Sequence, residues 1–227
     1  MNINKHLILL FSVLFFLFAV SVSSGCFRKN ESDVKSVVRN ELDQLKNLDS
    51  ETTQKYIPYT ELFPDATENT DLTDEINKTF SLFFRKFNYK ISDVIVGTAN
   101  HSATVSVKLT TIDSKVLARD FKAELLRTQI TESAQAQKGN IKDSSRSLEA
   151  HYLILNHLLN TNDYDTAETD CNIQLVNTGN DKKEKWKIQR TNSLEDDLVG
   201  GLIADLADPD ILSPEDTLTV YLDTLQK

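Results

Sequence analysis

The chain has 227 residues, with 34 Asp and Glu against 25 Lys and Arg, a formal charge of −9 and a pI of about 5.0. That balance excludes a nucleic-acid binder working through basic phosphate contacts and a polybasic domain for anionic membrane surfaces. Two cysteines are too few for a disulfide-stapled build, so a hydrophobic core must hold the fold.

Residues 1–26 come first. Lys5 and the amino terminus precede an apolar run over residues 7–20, broken only by Ser12, and small residues then lead to Cys26. A positive start, a short apolar run and a small-residue exit describe a secretory signal. The run is short for a spanning helix, which needs about 20 apolar residues. Its end, Ser24-Gly25-Cys26, resembles the lipobox of bacterial lipoproteins, although Ser23 stands where Leu, Val or Ile is usual and Val22 lies one place early. The resemblance implies that Cys26 becomes the first mature residue and carries a diacylglycerol on its thiol. Two acyl chains hold a protein on a membrane where one does not. The chain then divides into a signal peptide at 1–25, a tether at 26–31 and a single α+β domain at 32–227. With Cys26 acylated, Cys171 stands alone. The sequons at Asn30, Asn77 and Asn100 are read as chance matches beside a lipobox-like end.

A first helix starts at Ser32 or Asp33, with Val34, Val37, Val38, Leu42 and Leu45 at helical spacing. Asp49 and Ser50 stop it and cap a second helix over 51–57, which Pro58 ends. Residues 60–71 read as an acidic loop. The third helix, 73–87, carries Ile76, Phe80, Phe83, Phe84 and Phe87 in one broad stripe, expected to dock on the sheet that follows.

Residues 89–96 and 102–109 read as an antiparallel hairpin, the second strand alternating Ala103, Val105, Val107 and Leu109 with polar residues. Asp113 or Ser114 caps a long helix to about Gln137. Leu117, Phe121 and Leu125 mark its buried line, with Leu126 and Ile130 beside it. Its distal end is polar and expected to project into solvent. After a break at 139–143, a helix over 145–159 carries Leu148, Tyr152, Leu155 and Leu159. These two helices form an insertion at about 113–160.

A second hairpin follows: a strand over 167–175, a turn at 178–182 and a strand over 183–190 with Trp186 and Ile188 inward. Lys185 and Lys187 are placed opposite Glu168, Asp170 or Lys108. A long helix over 194–206 contains Gly200 and Gly201, each costing about 1 kcal/mol there against alanine unless close packing on the sheet requires them. Ser213, Pro214 and Asp216 match the cap of a last helix, with Leu218, Leu222 and Leu225 as its apolar line.

Helices, a hairpin, a helical insertion, a second hairpin and further helices, behind a lipoprotein signal, resemble a group of Gram-positive surface lipoproteins of unknown function. The stretches that carry the resemblance are ATVSVKLTTID at 103–113, KEKWKIQ at 183–189 and LVGGLIADL at 198–206. It implies an α+β fold similar to nuclear transport factor 2 and the cystatin-like sheets, with a curved antiparallel sheet of about four strands around packed helices. That superfamily hosts enzymes, ligand binders and interaction modules alike.

The catalytic signal is thin. Of the four histidines, His6 lies in the signal and His101 in a turn. His151 and His157 are six apart on one helix and cannot chelate one metal. No metalloprotease, CxxC, phosphate-loop or GxSxG motif occurs. Asp163, Asp165 and Asp170 match a calcium loop only loosely. Cys171 reads as a small buried hydrophobe. The expectation is therefore no catalytic residue, no metal and no cofactor. Phe80, Phe83, Phe84, Phe87 and Trp186 either fill the core or line an apolar pocket. The function expected is that of a membrane-tethered extracytoplasmic lipoprotein binding an envelope protein or a small apolar ligand, with no nucleic acid. An enzyme of the same fold and a structural envelope component are the alternatives.

Overall fold

The structure, a computed structural model, describes residues 30–57, 62–64, 66, 72–97, 101–137, 145–179 and 184–226. The signal, Cys26 and most of the tether lie outside these residues, as do most of the 60–71 loop and the 139–143 break. The protein is α+β. Four strands, β1 (Asn88–Val96), β2 (Ser102–Ile112), β3 (Thr166–Asn177) and β4 (Trp186–Ile188), form one antiparallel sheet in the order β1-β2-β3-β4. By their internal contacts the described residues divide into two compact units: those within 30–40, 91–106 and 172–189 form one, and those within 41–90, 107–171 and 190–226 the other.

In the first unit, Val34, Val38, Ala103, Val105, Ile173, Leu175 and Trp186 are buried. Helix α1, residues 30–46, starts two residues before Ser32. β4 is shorter than the expected 183–190 strand. Its register sets Leu175 against Ile188, Val176 against Lys187 and Asn177 against Trp186. Lys187 thus faces exposed Val176 rather than an acid.

The second unit is mainly helical. α1 ends where Leu48 turns left-handed at φ 63°. Asp49 N–H reaches back to the Gln44 carbonyl and Leu48 N–H to that of Leu45, the paired bonds of a Schellman end. The Asp49 carboxylate then caps α2 (Ser50–Tyr56), accepting from Thr52 N–H and its hydroxyl. These two bonds hold the Asp49 carboxyl below its usual range. α3 (Thr73–Phe83) is shorter than the expected 73–87 helix, because its last turn tightens into a 3₁₀ turn at Phe84–Lys86. It packs on α5 (Leu148–Thr161), where Phe80 meets the Tyr152 ring at 6.5 Å.

α4 (Ser114–Ala136), capped by Asp113, packs on α5, on α7 (Leu202–Ala207) and on α8 (Pro214–Leu225). Beyond Phe121 no α4 residue is buried, and 133–137 are exposed. Two expectations are corrected. The helix foreseen over 194–206 is two, α6 (Asn192–Leu198) and α7, because Gly200 and Gly201 take φ of 66° and 91°. The glycines are the break itself, and Gly200 also lies against Thr111 at the end of β2. In α8 the foreseen apolar line is exposed: Leu218, Leu222 and Leu225 are 58%, 48% and 57% accessible, and Val220 is the buried residue.

Candidate functional site

The helical unit carries a half-open cavity of about 590 Å³. Four pieces of chain build it: the segment 62–66, the middle of α4, the start of α5 with the residues before it, and α7. Phe121, Leu125 and Gln129 recur every four residues on α4, and so share one face, with Lys122 beside them. α7 contributes Ile203 and Leu206.

Phe63 anchors the loop wall. Its ring stacks on Phe121 at 5.1 Å, tilts over His151 at 4.8 Å and meets the edge of Tyr152 at 5.5 Å. The Ser147 side chain caps α5 by accepting from Ala150 N–H, and Ser145 N–H donates to Glu132 of α4 at 3.2 Å, which ties the approach to α5 onto α4.

His151 is half-buried in this wall. Its Nδ1 lies 2.7 Å from the Ser147 carbonyl oxygen. A carbonyl can only accept, so Nδ1 carries the proton and Nε2 the lone pair. Burial pulls the imidazole below its usual range; the Ser147 bond opposes that, and the nearby Lys122 charge adds to it. The result is a neutral ring among apolar side chains. Pockets of a few hundred Å³ with apolar walls and a few polar groups are the ordinary form of a small-molecule site.

Sequence reasoning singled out other residues. Phe80, Phe83, Phe84 and Phe87 are all buried, with Phe83 and Phe87 edge-on to Phe84 at 5.5 and 5.3 Å, and Trp186 is buried as well. None of them lines the 590 Å³ cavity. Phe80 borders a crevice of about 20 Å³ with Leu48, Thr53, Asn77 and Ser81, room for no more than a water. Cys26 lies outside the described residues. His101 and His157 are exposed.

Cys171 is buried against Asp197 of α6. Burial and that carboxylate push the thiol up to about 12, so it stays protonated and unreactive. The three aspartates weighed as a calcium fragment have separate engagements. Asp163 accepts from Lys86 at 2.6 Å, Asp170 lies 4.0 Å from Lys108, and the Asp165 carbonyl accepts from Asp113 N–H. Among the described residues no cluster of three or more His, Cys, Asp or Glu could hold a metal ion.

The cavity was missed because its walls come from four separate stretches. The apolar pattern on α4 fades only after Ile130, where the helix is expected to project into solvent, and so did not mark the cavity. Compared with protein families, with characterised proteins and with solved structures, the chain shows no match.

Proposed function

We propose that this is a lipid-anchored extracytoplasmic binding protein, built on a nuclear-transport-factor-2-like sheet with a helical insertion, that holds a small apolar ligand without transforming it. The cavity in the helical unit carries the reading: about 590 Å³ walled by Phe63, Phe121, His151, Leu125, Ile203 and Leu206. The tether rests on the lipobox-like Ser24-Gly25-Cys26 behind an apolar signal. The NTF2-like reading is supported by the four-stranded antiparallel order, with two helices between β2 and β3.

The test is uptake of an environment-sensitive apolar probe by the full chain in phospholipid nanodiscs, against Leu125→Trp, which fills the cavity from a half-buried position. Wild type is expected to take up the probe above the lipid background, and the variant is not. Equal uptake by both would end the ligand-binding reading. An enzyme is the second reading, favoured by one observation: the lone pair of His151 Nε2 at the cavity wall. The described lining offers no carboxylate to pair with it.

A further inference from the structure

We propose that the cavity's ligand is an apolar monocarboxylic acid, its hydrocarbon body against Phe63, Phe121, Leu125 and Leu206 and its carboxylate at Lys122. This rests on the ligand-binding reading and names the chemical class the site takes. The chain as a whole is acidic, with 34 Asp and Glu against 25 Lys and Arg. The described lining of the cavity reverses that sign. Its charged side chains are Lys122 and Arg146, and no Asp or Glu stands among them. Glu132 of α4 accepts from the Ser145 backbone N–H at 3.2 Å.

Lys122 is half-buried, with no ion pair or hydrogen bond to a described residue, whereas on the same helix Arg119 is held by Asp120 at 3.3 Å and Arg127 by Glu124 at 2.8 Å. A lysine lining such a cavity can lay its stem along the apolar walls and offer its ammonium to an anionic head. It lies one turn from Leu125 on the same helix face, so a ligand whose tail touches Leu125 brings its head within the lysine's reach. His151 does not compete for this role. Its Nδ1 proton is committed to the Ser147 carbonyl, and Nε2 is an acceptor that a carboxylate cannot use. The cavity therefore offers apolar walls, two cations in Lys122 and Arg146, of which Arg146 has an interaction of its own, and no acid among its described residues. A neutral apolar ligand would leave the lysine unused, and a cationic one would meet repulsion.

The experiment titrates decanoate and decanol, equal in chain length, into the full chain in zwitterionic phospholipid nanodiscs. Binding is read above that of empty nanodiscs, for wild type, Lys122→Gln and Leu125→Trp, and circular dichroism checks that each variant is folded. The expected result is tighter binding of decanoate than decanol by wild type. Lys122→Gln weakens decanoate by about twofold to fivefold, the worth of one partly exposed charge pair, and leaves decanol unchanged. Leu125→Trp removes both. Equal affinity for the two ligands, unaffected by Lys122→Gln but lost in Leu125→Trp, would overturn the carboxylate and leave the apolar site standing. Binding unaffected by Leu125→Trp would overturn the site and the proposed function together.

Discussion

Gly200 shows how one residue sets a local path. Its φ of 66° is a conformation that L-residues rarely adopt, and an added Cβ would lie 2.2 Å from the hydroxyl of Thr111, itself buried. Gly201 shares the left-handed backbone, at φ 91°, but a Cβ there would meet nothing closer than 3.7 Å. Gly201→Ala should cost about 1–2 kcal/mol, the steric penalty of left-handed backbone, and Gly200→Ala distinctly more, because Thr111 must also move. Denaturant unfolding of the two variants checks the order, and a Gly200→Ala chain no less stable than Gly201→Ala would refute the contact. His151 gives a pH signature. Its folded pKa lies below its unfolded value, so between the two the unfolded chain binds the proton and the native chain does not. The contribution of neutral His151 is complete above the unfolded pKa and is lost as pH falls through the folded one. Burial drives this shift, the carbonyl of the capping Ser147 opposes it and the Lys122 charge from α4 adds to it. The stability of wild type should therefore fall more steeply below pH 6.5 than that of His151→Asn, measured by thermal unfolding across pH.

Among the elements, α3 and α8 carry the same kind of pattern and meet opposite fates. The α3 stripe packs on α5 and is buried throughout, so Phe83→Ala should cost about 3–5 kcal/mol as a cavity variant. On α8 the stripe of Leu218, Leu222 and Leu225 faces water, and Tyr221 is exposed beside it. Leu222→Ser should accordingly change stability by no more than about 0.5 kcal/mol, although both helices read as amphipathic in sequence. A large loss in Leu222→Ser, seen in urea unfolding, would mean the face is covered in the folded protein. The distinction was not legible beforehand. Periodicity reports which residues share a face, whereas the partner that covers the face comes from elsewhere in the chain. Three caps were legible, since Asp49, Asp113 and Ser213 each accept from a backbone N–H three residues on, whereas the Ser147 cap of α5 lay inside the helix expected over 145–159.

For the whole molecule, the proposed anchor makes its own prediction: Cys26→Ala should abolish incorporation of a labelled fatty acid and block the processing that exposes residue 26. Equal labelling of variant and wild type would remove the lipoprotein reading while leaving the cavity experiments untouched. Among the described residues no helix is long and apolar enough to cross a membrane. What the sequence determined by itself was whatever depends on near neighbours. The alternation in β2, the helix caps, the segment order and the α+β class all follow from residues within one or two turns of each other. Tertiary structure alone decided three things: that Gly200 and Gly201 break a helix against Thr111, that the α8 leucines face water, and that Phe63, Lys122, His151 and Leu206 surround one space. Each depends on segments far apart in the chain, and local spacing carries no information about which distant surface arrives opposite a given face.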